Sequence, residues 1–168
     1  IEKICRSNLY LFIFSRFIIG KFLPKLVYDN DFKILKNLKK KNFFNNKKVI
    51  LDIGGNDGMS YYIIRKFVKG IKIVSFEPNL YNFLKLKEIK KKDRLFNVYN
   101  FALSNKNSQS KLIIPFFNNY ALTQIAGLDI KGVKKRLKIA LFEKNLFKKI
   151  HFKKTPITSK KLDNFKFK

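Results

Sequence analysis

The sequence is poor in the residues that build metal sites and covalent cross-links. It has one cysteine, Cys5, one histidine, His151, and no tryptophan. A structural zinc site takes four Cys or His ligands and a disulfide takes two cysteines, so neither can be assembled within the chain. So little cysteine fits a reducing, cytoplasmic setting, and we expect no metal cofactor. His151 is interpreted as an ordinary strand or loop residue rather than as a general base.

Acidic residues and arginine are also scarce. The 168 residues include 11 Asp and Glu against 38 Lys and Arg, which gives a formal net charge of +27. Only five of the basic residues are Arg, so the guanidinium groups that favour base and phosphate recognition are few. Two interpretations stay open: a coding bias that enriches Lys, Asn, Ile and Phe throughout, or a functional basic surface. Either one predicts non-specific, salt-sensitive binding to polyanions.

The sequence has no uncharged apolar run of the roughly 18 or more residues that a membrane-spanning helix needs. Residues 1–23 come nearest, but Arg16 interrupts them, and no small-residue cleavage site of a signal peptide follows. Two interpretations of this stretch stay open. It forms a helix that packs on one face of a sheet or on missing sequence, or an amphipathic helix that makes peripheral membrane contact. We assign residues 1–47 to an N-terminal helical segment.

The most informative stretch is K-V-I-L-D-I-G-G-N-D-G, at residues 48–58. Its apolar, β-branched first half predicts a buried parallel strand, with Asp52 at the carboxyl end. The glycines at 54, 55 and 58 predict a sharp turn that approaches a ligand closely. The apolar spacing from Met59 to Val68 predicts a helix. Strand, glycine turn and helix form the first half of a nucleotide-binding βαβ unit.

A second strand and an acidic residue extend this unit. Ile71–Phe76 is rich in β-branched residues and is followed by Glu77, 25 positions after Asp52. An acidic residue at the end of a second parallel strand can accept both hydroxyls of a ribose. The alternative is a solvated glutamate at a strand end. We favour the ribose interpretation because strand, turn, helix, strand and acid occur in the expected order.

The kind of nucleotide follows from what the turn lacks. It has neither the G-x-G-x-x-G of a dinucleotide site nor the G-K-[ST] of a phosphate loop. Asp52-x-Gly54-x-x-x-Gly58 instead resembles motif I of the class I S-adenosylmethionine-dependent methyltransferases. That cofactor has no pyrophosphate, and its amino-acid end carries an ammonium and a carboxylate. An acidic strand end and the N–H groups at a helix start suit these two charges. The resemblance implies S-adenosylmethionine as the cofactor.

The rest of the pattern continues in the same class. Pro78 and Asn79 predict the start of a further helix through about Ile89. The strands Phe96–Leu103 and Lys111–Phe117 are predicted to form a hairpin. A helix over Gly132–Phe147 and a strand over His151–Ile157 are predicted to follow. We expect an α/β fold with a doubly wound, mostly parallel sheet of the Rossmann-like type.

Three segments sharpen the resemblance: V-I-L-D-I-G-G-N-D-G, S-F-E-P-N and N-F-A-L-S-N. As a set they resemble the FkbM family of methyltransferases, whose first motif usually reads D-x-G-A-N-x-G and is followed by F-E-P and A-L-S. Gly55 stands where the family usually has Ala. K-K-L-D-N-F resembles a T-L-D-D-F segment of the family, with Lys161 in place of Thr. The family's next motif, I-K-I-D-x-E-G-A-E, does not occur before Lys168. We therefore expect residues 48–168 to form a methyltransferase domain that is incomplete at its carboxyl end.

The resemblance also implies a reaction and a site. It implies methyl transfer to an oxygen of a small molecule or glycan, and it assigns no catalytic base. The implied cofactor-binding residues are Asp52, Gly54, Gly55, Asn56, Gly58, Glu77, Pro78 and Ala102. Two alternatives stay open: an RNA methyltransferase that uses the basic surface, and a truncated chain without catalytic activity.

Overall fold

The computed structural model describes residues 30–45, 49–140 and 147–165. Its helices are α1 (Asn30–Lys40), α2 (Met59–Phe67), α3 (Leu80–Lys92) and α4 (Ile130–Ala140). Its strands are β1 (Val49–Ile53), β2 (Lys72–Phe76), β3 (Phe96–Tyr99), β4 (Ala102–Leu103), β5 (Ser108–Phe117), β6 (Tyr120–Ala121) and β7 (Ile150–Lys160). Two short 3-10 turns span Thr123–Ile125 and Leu162–Asn164. The predictions for residues 1–23, and most of the predicted helix beyond residue 140, lie outside the described residues.

The fold is α/β, with one parallel sheet and one mixed sheet. β1, β2 and β3 form the parallel sheet in that order, and β4, β7, β5 and β6 form the mixed sheet. Within the mixed sheet β4 pairs with β7 in parallel and β5 pairs with β6 antiparallel. None of the described helices is long and apolar enough to cross a membrane.

The described residues divide into two compact units. Residues 30–45, 49–108 and 158–165 belong to the first, and residues 109–140 and 147–157 belong to the second. The second unit has its own apolar core, in which Val133 and Leu137 of α4 are fully buried against Ile113 and Phe117 of β5. Each unit thus buries an apolar cluster of its own.

The parallel sheet of the first unit has two differently covered faces. Successive side chains of a strand alternate between faces, so Ile50 and Asp52 point to one side and Leu51 and Ile53 to the other. On the first side the buried residues of α2 and α3 pack against Ile73 and Phe96. On the other side Phe76 packs with Phe101 and partly buried neighbours that include Leu162 and Phe165. Among the described residues, α1, α2 and α3 therefore lie on the face that carries Asp52.

The predicted hairpin of strands Phe96–Leu103 and Lys111–Phe117 is wrong. The first of these runs is two strands: β3 pairs with β2 in the parallel sheet, and β4 pairs with β7 in the mixed sheet. The break falls at Asn100, whose side-chain Nδ2 donates to the carbonyl oxygens of Glu77 and Pro78 at 2.9 and 3.1 Å. These bonds tie the end of β3 to the end of β2, and the chain leaves the parallel sheet there.

Candidate functional site

The candidate site lies at the carboxyl edge of the parallel sheet, where β1 and β2 end. Ile53 is paired with Phe76 in the register of these strands, so the residues that follow each strand start side by side. The glycine turn, residues 54–58, leads from β1 into α2. The Gly54 N–H donates to the Phe76 carbonyl at 2.8 Å, which fixes the start of the turn to the end of β2.

The turn depends on glycine for different reasons at different positions. A Cβ on Gly55 would lie 2.9 Å from Asp52 Oδ2 and closer still to the Ser75 hydroxyl, so a larger residue cannot fit over these side chains. Gly58 has φ +91°, and a Cβ there would lie 2.6 Å from Ile89 Cδ1. Gly54 has φ +83° but no heavy atom within 4 Å of a Cβ position. Gly55 and Gly58 are thus required for packing, while Gly54 borders open space.

Asp52 is buried beneath the turn with two hydroxyl partners. Its Oδ2 accepts hydrogen bonds from Ser60 Oγ on α2 and from Ser75 Oγ on β2, both at 2.9 Å. Burial raises the pKa of Asp52 above its ordinary value, and the two hydroxyl bonds offset part of that effect. Asp52 therefore joins β1, β2 and α2 at the edge where the turn begins.

Glu77 is buried as well, with 5% of its surface exposed. Its Oε2 accepts the Asn56 N–H at 2.7 Å and its Oε1 accepts the Asn79 N–H at 2.8 Å. Burial, and to a smaller extent repulsion from Asp52 and Asp57, raise its pKa above the ordinary value, although the two N–H bonds act in the opposite direction. Glu77 is thus no solvated strand end: its carboxylate joins the glycine turn to the start of α3.

Three asparagines surround Glu77. Asn79 is the N-cap of α3, and its Oδ1 accepts the Tyr81 N–H at 3.1 Å. Asn56 has the left-handed backbone conformation, with φ +48°, in the middle of the turn. Asn82, in the first turns of α3, donates from Nδ2 to the Asn56 side-chain oxygen. Side chains of α3 therefore reach the glycine turn directly.

The structure brings most of the predicted site residues together at one edge of the sheet. Asp52, Glu77 and the predicted residues of the turn meet at the carboxyl edge, and the Pro78 carbonyl accepts a bond from Asn100 beside them. Ala102 lies on β4, opposite Ser159 of β7, and takes no part in the hydrogen bonds described above. Within the described residues no group of three or more His, Cys, Asp or Glu side chains is arranged to hold a metal ion.

The side chains that support the two carboxylates were not among the predicted site residues. Ser60, Ser75 and Asn82 each interrupt an otherwise apolar, inward-facing pattern, and all three are hydrogen-bonded to Asp52 or to Asn56. The sequence does carry a signal for them, namely a polar residue at an inward-facing position where the helix or strand periodicity predicts an apolar one. A polar group is normally buried only with a hydrogen-bond partner.

Comparison with known proteins returned no match: no family model, no curated protein and no solved structure matches this chain.

Proposed function

We propose that this chain is a class I, Rossmann-like methyltransferase domain that binds S-adenosylmethionine at the carboxyl edge of its parallel sheet. The observation that carries the proposal is the pair of buried carboxylates, Asp52 and Glu77, at the ends of adjacent parallel strands with the glycine turn between them. Open α/β sheets bind nucleotides at this edge. The resemblance of D-I-G-G-N-D-G, F-E-P-N and A-L-S to FkbM methyltransferases supports the same cofactor.

The charge of this edge favours a cationic ligand over a pyrophosphate. The carboxylates of Asp52, Asp57 and Glu77 gather here in a chain that has only 11 acidic residues against 38 basic ones. Besides burial, the repulsion from Asp52 and Asp57 contributes to the raised pKa of Glu77. A pyrophosphate would add to that repulsion, whereas the ammonium and sulfonium of S-adenosylmethionine would relieve it. The carboxylates therefore support S-adenosylmethionine over a dinucleotide.

The residues present fit such a cofactor. Both serine hydroxyls bind Asp52 at Oδ2, so we assign the cofactor ammonium to Oδ1. Each Glu77 oxygen accepts one N–H and keeps a second lone pair, which we assign to a ribose hydroxyl. The open space beside Gly54 admits the amino-acid end.

The bound cofactor supplies a methyl group that its sulfonium activates. The chain supplies orientation, because methyl displacement needs the acceptor, the methyl carbon and the leaving sulfur in line, and alignment alone can lower a barrier by several kcal/mol. We propose an oxygen of a small molecule or sugar as the acceptor, on the FkbM resemblance.

Calorimetric titration tests the cofactor. We expect the chain to bind S-adenosylmethionine and S-adenosylhomocysteine and to leave NAD unbound. The Gly54→Val variant should lose binding, because its side chain would fill the open space proposed for the amino-acid end, and it should also lose part of its unfolding free energy to the positive φ of +83°. Binding of NAD alone, or equal binding by the parent and Gly54→Val, would contradict the proposal.

A further inference from the structure

A buried asparagine stands where the helix pattern calls for an apolar residue. Asn82 of α3 is 1% exposed, and the other buried residues of that helix are Leu86 and Ile89. An amide is expensive to bury unless it is hydrogen-bonded. Asn82 satisfies only half of its amide: Nδ2 reaches Asn56, while Oδ1 has no hydrogen-bond partner among the described residues. An apolar side chain would avoid that penalty, so stability does not account for Asn82.

The partner of Asn82 has the left-handed backbone conformation. Asn56 has φ +48°, which asparagine tolerates better than most residues but which still costs it more than glycine. In that conformation its backbone N–H donates to Glu77 Oε2. The Asn82 bond to the Asn56 side chain holds the same residue a second time, from α3.

The contacts form a closed ring. Asn82 binds the Asn56 side chain, the Asn56 N–H binds Glu77, Glu77 binds the Asn79 N–H, and Asn79 begins the helix that carries Asn82. Each member fixes the next, and the ring encloses the carboxylate that the proposed function assigns to the ribose. Asn79 is itself buried, and its Nδ2 has no partner among the described residues.

We propose that Asn82 is a positioning residue: it holds Asn56 in the left-handed conformation, and it thereby keeps the glycine turn and Glu77 in the arrangement that binds the cofactor. This inference rests on the proposed function for the identity of the ligand, S-adenosylhomocysteine serving as the probe. The hydrogen bonds themselves can be tested without any ligand.

The ligand-free test is amide hydrogen exchange of the full chain, measured residue by residue by NMR. Asn82→Ala should speed exchange of the Asn56 N–H about three- to tenfold, the loss of one hydrogen bond between neutral amides. The Gly54 N–H, which binds Phe76 in the same turn, is the internal reference and should keep its rate. Asn82→Ser, whose hydroxyl is too short to reach Asn56, is measured in parallel. Phe83→Ala is the matched control, since Phe83 is partly buried on the same helix and its side chain makes none of the ring's hydrogen bonds.

If Asn82 only stabilised the fold, each variant would speed exchange of the Gly54 N–H and of the Asn56 N–H by equal factors. That outcome overturns the proposal. An unchanged Asn56 rate in both Asn82 variants also overturns it. Selective exposure of Asn56 in the Asn82 variants alone supports it.

The binding test uses a double-mutant cycle. Asn82→Ala should weaken S-adenosylhomocysteine binding about tenfold, the equivalent of one such hydrogen bond. Asn56→Gly adopts a positive φ without support, so adding Asn82→Ala to it should change the affinity no further. Additive losses in the cycle would overturn the role of Asn82. If the parent binds no S-adenosylhomocysteine while Asn56 exchange still responds selectively, the proposed function fails and the positioning of Asn56 by Asn82 stands.

Discussion

Glu77 offers the sharpest test of the site because its carboxylate has two structural bonds and almost no exposure. Both of its oxygens accept backbone N–H groups, at 2.7 Å from Asn56 and 2.8 Å from Asn79. A hydrogen bond to a charged group contributes about 1.5–3 kcal/mol, and a buried N–H that loses its acceptor is costly. Relief of the buried charge offsets part of the loss. We therefore expect Glu77→Ala to lower the free energy of unfolding by about 2–4 kcal/mol at pH 7.

Glu77→Gln separates shape from charge. The glutamine oxygen can accept one of the two N–H groups, but its NH₂ group faces the other donor, so one bond is kept and one is replaced by a contact between donors. We expect a loss of about 1–3 kcal/mol, smaller than for alanine. A solvated strand-end glutamate would show less than about 0.5 kcal/mol in either variant. Urea unfolding followed by circular dichroism measures both.

The pH dependence of the same measurement has a definite sign. Burial first, and repulsion from Asp52 and Asp57 after it, raise the folded-state pKa of Glu77 above 4.5. The folded state therefore binds a proton more tightly than the unfolded state, and the contribution of Glu77 to stability falls as pH rises from about 4.5 through its folded pKa. The stability difference between the parent and Glu77→Gln should shrink over that window and stay level above it. The high net charge acts on both proteins and cancels in the difference.

Two results would refute this reasoning. Equal unfolding free energies for the parent and Glu77→Ala at pH 7 would mean that the carboxylate does not hold the turn. A stability difference between the parent and Glu77→Gln that grows as pH rises toward 4.5, and does not shrink above it, would mean that the folded pKa lies below the ordinary value.

Two further predictions concern the framework of the site. Gly55→Ala should lower the free energy of unfolding by more than about 2 kcal/mol, because its methyl group would overlap Ser75 Oγ. Gly54→Ala should lose only about 1–2 kcal/mol, because of its positive φ. Chemical denaturation that ranks Gly54→Ala as the less stable variant would contradict the packing role of Gly55. Arg65 binds Asp93 at 2.7 Å with both side chains 17% exposed. Arg65→Ala should therefore lower the free energy of unfolding by about 2–3 kcal/mol, and a double-mutant cycle with Asp93→Ala should reveal coupling. Strictly additive losses would show that the ion pair contributes nothing.

The glycine turn and its flanking elements were predictable because their signal is local. β-branched runs, glycines and an N-cap asparagine fix where strands and helices begin and end, and β1, β2 and α2 fall within one residue of the predicted bounds. The predicted helix from Pro78 begins at Leu80 and continues to Lys92, with Asn79 as its cap. These boundaries depend on a few neighbouring residues and not on distant contacts.

The inward faces of the helices were predicted less well. Apolar spacing along the two helices groups Tyr62, Tyr81 and Leu84 with the inward positions, but they are 43%, 38% and 51% exposed. Apolar residues occur around much of α3, so periodicity alone does not select a face. The buried side of α3 begins at Asn82, and the turn, 26 residues earlier in the chain, supplies its partner. Such a contact cannot be read from spacing within one helix.

The strand pairing of residues 96–121 was unpredictable for a related reason. The mostly apolar run from Phe96 to Leu103 gives no sign of the bend at Asn100, which depends on carbonyl groups of the residues that follow β2. The true hairpin joins β5 to β6 through Asn118, whose φ is +52°. Two consecutive asparagines at that point were a turn signal of the kind that tolerates a left-handed residue. The two asparagines thus indicated the correct turn, but the hairpin was predicted from the longer apolar runs on either side of residues 104–110.

The two buried carboxylates conflict with the rest of the first unit, and this conflict bears on function. Most buried side chains of that unit are apolar, yet Asp52 and Glu77 are buried at its edge with raised pKa values. A raised carboxylate pKa means that ionising the group costs more free energy in the folded state than in the unfolded state. Natural sequences keep such costly groups mainly where a ligand makes use of them. A cationic ligand would lower the cost of ionising these carboxylates, so the feature of the edge that is hardest to keep charged is the one that best supports a cofactor site.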